Sequence, residues 1–124
     1  MKIIEAINRI DSLKHNTYSP SDKVEWLSRV DWMVKRHIID AHEGAEKVSF
    51  TGYDDNTDRQ TELLVPAPYD ELYLRWMEAQ IDYHNGEYKK YNNAIIMYNT
   101  AFDAYQKYYV RTQTPIQAGR RFLF

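Results

Sequence analysis

The stretch from Tyr88 to Val110, YKKYNNAIIMYNTAFDAYQKYYV, decides the fold. Within it Tyr88, Tyr91, Ile95, Tyr98, Phe102, Tyr105 and Tyr109 follow one another at alternating spacings of three and four. Residues so spaced share one face of an α-helix, so the stretch predicts a long helix with an aromatic stripe. A seam built only for a dry core favours leucine and isoleucine, because a buried phenol without a partner costs roughly 1–3 kcal/mol. Tyrosine suits a face that is apolar along its body and wet at its tip, the composition enriched at protein contacts. Two readings follow: an amphipathic helix with an aromatic core face, or a helix that packs inward and also touches another subunit. A second stripe, Met97, Ala101, Ala104 and Tyr108, carries small residues that let a neighbour approach closely.

Upstream, the pattern predicts a third helix over residues 69–84. Leu72, Trp76, Ala79 and Tyr83 form one stripe and Leu74, Met77 and Ile81 a second, so this helix is apolar on two sides and largely buried. Pro68 suits its first turn, and Asp70 and Glu71 place negative charge at its N-terminus. Asn85-Gly86 lies between the third and fourth helices and reads as the turn of an αα-hairpin. One continuous helix is the alternative, since Leu74, Met77, Ile81 and His84 run in phase with Tyr88, Tyr91 and Ile95. The hairpin is the better reading.

Further back, Ile3, Ile4, Ile7, Ile10 and Leu13 recur at helical spacing and predict a first helix ending near Lys14. Ser19-Pro20-Ser21-Asp22 is a helix start, with Ser19 as N-cap, Pro20 at the first position and Asp22 in the first turn. The second helix runs to about Ala41 with Val24, Leu27, Val30, Val34 and Ile38 on one face, widened by Trp26 and Met33, and Gly44 as its stop. Residues 44–66 break the pattern. Val48-Ser49-Phe50 and Glu62-Leu63-Leu64-Val65 look extended around an acidic turn at residues 52–58, which fits a β-hairpin or a long ordered loop. The expectation is therefore a mainly α chain: a helical domain over residues 1–110, a small bundle of about four helices, followed by an extended C-terminal tail, residues 111–124. That tail ends Arg120-Arg121-Phe122-Leu123-Phe124, three large apolar residues after two arginines. A disordered tail is expected to be polar. Docking on a partner is favoured over folding back.

The 124 residues suffice for one domain. Net charge is −2 with pI about 6.1, which argues against a general nucleic-acid binder with a basic face. Cysteine is absent, so disulfides and thiolate metal sites are excluded. The apolar runs are a few residues long, against roughly 20 for a bilayer helix. Met1-Lys2-Ile3-Ile4-Glu5 lacks the apolar run of a secretory signal, and the expectation is a protein made and used in the cytoplasm, or in something assembled there.

No constellation argues for catalysis, cofactor or metal. Asp54, Asn56 and Asp58 mimic the first three ligands of an EF-hand, yet Arg59 stands where glycine is needed and Val65 where a bidentate glutamate belongs. A solvated acidic turn is the expected reading. His37 and His42, five apart, do not share a helical face as a zinc pair requires. Gly86-Glu87-Tyr88 echoes a tetratricopeptide turn, but Tyr91 and Tyr98 stand where that repeat wants alanine, and no second copy exists.

The words Thr61-Glu62-Leu63-Leu64-Val65-Pro66-Ala67-Pro68-Tyr69-Asp70-Glu71-Leu72-Tyr73, then Trp76-Met77-Glu78-Ala79-Gln80-Ile81-Asp82-Tyr83 and Asn85-Gly86-Glu87-Tyr88, resemble small proteins of tailed phages and prophages of Gram-positive bacteria. The likeness spans Ile3 to about Tyr109 and is to the head-to-tail connector, or neck adaptor, family. It implies a non-enzymatic virion protein in the neck, a helical subunit of a ring commonly of twelve copies, enclosing the DNA channel without sequence-specific binding. Its implied partners are the portal protein and the downstream neck, stopper or tail protein. The portal-docking residues it implies are Arg120, Arg121, Phe122, Leu123 and Phe124. Phe50 and Tyr53 in the 44–66 loop, with Tyr98, Tyr105, Tyr108 and Tyr109, are the expected subunit or neck contacts. The alternative is a small helical interaction module, a phage regulator or host-factor binder, using an aromatic groove.

Overall fold

The computed structural model describes residues 1–114, and the expected docking residues Arg120 to Phe124 lie outside them. Four α-helices follow in order: α1 (Ile3–Leu13), α2 (Pro20–His37), α3 (Glu71–His84) and α4 (Tyr88–Thr112). Two short 3-10 turns, Ile39–Ala41 and Ala45–Lys47, fall between α2 and α3. Helix α3 is central: it packs on α1 and α2 and most extensively on α4.

Helix α2 starts as its sequence predicts. Ser19 Oγ accepts the Asp22 amide at 3.1 Å, the Asp22 carboxylate accepts the Ser19 amide at 3.4 Å, and Pro20 occupies the first position. Val24, Leu27, Val30, Val34 and Ile38 are all buried, as is Trp26, but Met33 is 46% exposed and does not widen the core face. The helix ends at His37 rather than Ala41. From there the chain tightens into the 3-10 turn, and His42 Nδ1 donates to the Ile38 carbonyl at 2.7 Å, occupying an acceptor that a longer helix would have used.

Between α2 and α3 the described residues contain no strand; an antiparallel bridge joins Lys2 to Glu62. The 44–66 segment does not pair with itself as a hairpin would. It serves α1 instead: the Ile3 amide donates to Thr61 at 3.0 Å and the Ile4 amide to Arg59 at 2.9 Å. These are amides at a helix N-terminus that have no partner within the helix, so the loop acts as a backbone cap. Helix α3 begins at Glu71, two residues later than expected, because Tyr69 and Asp70 form a preceding turn in which the Tyr69 amide donates to Pro66 at 3.0 Å.

Gly86 has φ +76 and separates α3 from α4, so the αα-hairpin forms and the continuous helix does not. The core joins Ile3, Ile7 and Ile10 of α1, the α2 stripe, Leu63 and Val65 of the loop, and Leu72, Leu74, Met77 and Ile81 of α3. Leu13, expected on the apolar face of α1, is exposed. Two lysines reach acids from near the core: Lys23 Nζ lies 2.6 Å from Asp11, and Lys14 Nζ lies 2.5 Å from Asp82, whose carboxylate is buried.

Met77 is fully buried on the central helix, so Met77→Ala is expected to cost about 2–5 kcal/mol in urea unfolding through the cavity it leaves. At Gly86 an added Cβ meets nothing within 4 Å, so Gly86→Ala tests the positive φ alone. A loss of about 1 kcal/mol is expected there, and an unchanged midpoint would show that the turn tolerates an L side chain.

Candidate interaction surface

The strongest polar site in the protein is one that periodicity does not reveal. Asp31 lies on the buried face of α2 and is fully inaccessible. Its Oδ1 accepts the Tyr73 hydroxyl at 2.6 Å, while Oδ2 accepts the Tyr53 hydroxyl at 2.5 Å and the Leu64 amide at 3.1 Å. The Tyr73 oxygen in turn accepts the Val65 amide at 2.8 Å. One carboxylate therefore ties α2 to α3 and to two stretches of the connecting loop. Burial pushes the Asp31 carboxyl up to about 6, opposed by the three donors that favour its charged form. The same burial, with the carboxylate beside them, raises the Tyr53 and Tyr73 phenols well above their usual value, so both remain donors.

Beside this hub the loop lies flat on α2. The Tyr53 amide donates to Ser28 Oγ at 3.0 Å, and Gly52, with φ +94, sits where any Cβ would come within 3.2 Å of the Trp32 indole nitrogen. The positive φ favours glycine there, and a Cβ would also press on the Trp32 ring. Phe50 packs edge-on against Trp32 at 4.8 Å and against Tyr53 at 5.0 Å, and Arg36 sits over the Trp32 ring. Trp32 remains 38% exposed, which leaves an aromatic patch on the outside of α2.

The tyrosine stripe divides along its length. Tyr98 and Tyr105 are buried, Tyr91 and Tyr109 are half-buried, and Tyr88 is exposed beyond the end of α3. Tyr98 lies 4.9 Å from Trp76, and Tyr69 from the loop stacks 4.8 Å from Tyr108 and lies 5.6 Å from Tyr105. Tyr109 meets His42 edge-on at 4.7 Å. Burial raises the Tyr98 phenol and pushes that of Tyr105 up to about 12. The C-terminal half of α4 is thus held to the loop by aromatic contacts, each worth about 0.5–1.5 kcal/mol beyond area burial.

Of the expected contact residues, Tyr53, Tyr98 and Tyr105 spend most of their rings inside the chain, and Tyr53 also commits its hydroxyl to Asp31. Phe50, Tyr108 and Tyr109 keep part of their surface outside. Phe50 and Tyr53 pack together beside Trp32 of α2, Tyr98 packs on Trp76 of α3, and Tyr105, Tyr108 and Tyr109 meet Tyr69 and His42. The outward surface of α4 belongs to other residues: Ile96 is 61% exposed, Met97 45% and Val110 52%. Met97 and Ala104 were legible as a separate stripe, and Ile96 was not.

A third feature is a cavity of about 290 Å³ walled by Tyr18, Trp26 and His84 and edged by Asp22, Glu25 and Arg29. Trp26 and His84 stack at 6.0 Å, Tyr18 meets Trp26 edge-on at 5.6 Å, and the Tyr18 hydroxyl donates to Asn85 Oδ1 at 2.6 Å. The acidic turn is occupied with its own backbone: Asp54 Oδ1 accepts the Asn56 amide at 2.8 Å and Asp58 Oδ1 the Gln60 amide at 2.9 Å. His37 is exposed, whereas His42 is buried against Tyr109, with Nε2 unpartnered among the described residues.

Because the folded Asp31 carboxyl titrates near 6 and its unfolded form near 3.8, the folded state holds this proton more tightly. Its contribution to stability is full below pH about 4 and is lost as pH rises through about 6. Asp31→Asn removes that titration. Urea unfolding of both proteins between pH about 4 and 7 is expected to show the wild type losing up to about 3 kcal/mol relative to the variant as pH rises. Parallel pH profiles would refute the assignment.

Neither a scan of protein-family models nor searches of curated proteins and of solved structures return a match to this chain.

Proposed function

We propose that this chain is a structural adaptor of a phage neck, a subunit of a ring between the portal and the downstream neck or tail proteins. The reading starts from the resemblance carried by residues 61–88. The observation in its support is the placement of α4, a helix of about 37 Å on the outside of the bundle. It is anchored on one face by α3 and the loop aromatics and leaves Ile96, Met97 and Val110 uncovered on the other. Apolar residues grouped on an exposed helix face mark an association surface. The polar hub at Asp31 fits the same role. It makes a rigid wedge of α2, loop and α3, with its carboxylate enclosed by donors rather than open to a substrate.

A second reading, a helical module that captures a host or phage peptide, draws on the aromatic cavity at Tyr18, Trp26 and His84. The two separate on one substitution. His84→Ala, at an exposed wall of the cavity, is expected to leave incorporation into particles intact if the chain is an adaptor, and to abolish partner capture if it is a peptide module.

The adaptor reading assigns the segment Arg120 to Phe124 to the portal. Deleting residues 120–124 is expected to abolish head–tail joining in an infected culture while the purified protein keeps its helical circular dichroism. Normal virion yield from the truncated gene would count directly against the docking role.

A further inference from the structure

We infer that the segment Arg120 to Phe124 is held by its own chain, seated at the cavity of Tyr18, Trp26 and His84, until a partner draws it off. The inference rests on the portal reading only for what releases the segment. The seat itself follows from the cavity, its charge and the reach of the chain. The cavity runs into a second one of about 260 Å³, because Asp22 and Glu25 line both. Asp54 and Asp55 of the loop line that second cavity as well. Four carboxylates thus border a recess formed by the Tyr18 and His84 rings, with the buried Trp26 behind them.

Two guanidinium groups already lie among these acids, Arg29 at 2.8 Å from Glu25 and Arg59 at 4.0 Å from Asp55. They leave two negative charges over, the number that Arg120 and Arg121 match as cations. The Arg29–Glu25 pair is exposed at both ends and holds weakly, so Glu25 can accept a second arginine. Arginine binds carboxylates through charge-assisted hydrogen bonds, and Phe122 and Phe124 are the side chains to pack on the exposed aromatic rings. The order of charges along the tail fits the order along α2. Thr114 lies beside the turn that follows α2, its carbonyl accepting the Glu43 amide at 2.8 Å. The last turn of α2 is basic, with Lys35, Arg36 and His37, and residues 115–119 carry no charge to be repelled there. Along α2, His37 and Glu25 are about 18 Å apart. The six steps from Thr114 to Arg120 span about 20 Å when extended, which brings the two arginines level with Asp22 and Glu25. A short link of this kind supplies the segment to its own cavity at an effective concentration in the millimolar range, so weak contacts suffice to hold it.

The chain has no cysteine, so one engineered thiol carries one nitroxide. In the full chain with Phe124→Cys so labelled, the amide signals of Asp22, Glu25 and His84 are expected to lose intensity several-fold through paramagnetic broadening. Arg120→Glu with Arg121→Glu in the same labelled chain should restore them, and neither change touches the core. Raising the salt should restore them in part, as the charges become screened. Broadening confined to residues near Thr114 would overturn the inference, and so would broadening that survives the charge reversal. Spin-labelled chains mixed with unlabelled, isotope-enriched chains supply the remaining control. Broadening in that mixture would give the seat to the tail of a second copy and overturn the assignment to the same chain. Portal protein added to the labelled chain is expected to restore the signals. Broadening that portal leaves in place counts against the portal reading while the seat stands, and portal binding by a chain that shows no broadening overturns the seat alone.

Discussion

Asp31 is the constraint around which the rest of the molecule is arranged. A carboxylate removed from water is costly unless its oxygens are satisfied, and here two phenols and one backbone amide satisfy them. Each donor comes from a different part of the chain: Tyr53 from the loop after α2, Leu64 from the approach to α3, and Tyr73 from α3 itself. The long connection between α2 and α3 is ordered against the bundle for this reason, although it contains no strand. Its position in turn allows the Thr61 and Arg59 carbonyls to cap α1. Loss of the charge centre would therefore be felt in three elements at once.

The loop also explains how α4 is held. Helix α4 packs mainly on α3, and a helix of 25 residues extends well past a partner of 14. Its far half rests on Tyr69 and His42, aromatic residues that the loop delivers to Tyr105, Tyr108 and Tyr109. The tyrosines of the stripe are thus split between a helix–helix seam and a helix–loop seam. The outward face of the same helix stays uncovered, and on the reading proposed above it is the surface that meets a neighbour.

Much of the helical layout was legible from spacing alone. The Ser19-Pro20-Ser21-Asp22 start, the α2 stripe, the two apolar sides of α3 and the Asn85-Gly86 turn all express local rules. Periodicity also nominated Tyr98 and Tyr105 as inward-facing. It did not separate them from Tyr88, because which part of a stripe is covered depends on where the partner helix stops. Asp31 was invisible for a related reason: an aspartate on an apolar stripe carries no sign of the two tyrosines, 22 and 42 residues away, that donate to it. Ile96 escaped notice because it sits off both stripes, on an exposed side of the helix.

By itself the sequence determined the helices, their caps and their apolar faces, since these depend on residues three and four apart. It determined too that the loop would carry an acidic turn. Tertiary structure decided what those features do together. It placed the acidic segment against the starts of α1 and α2, and it turned an unremarked aspartate into the joint of the fold. The physical reason is range: helix formation is read from near neighbours, whereas the burial of a charge and the exposure of a face depend on residues that only folding brings close.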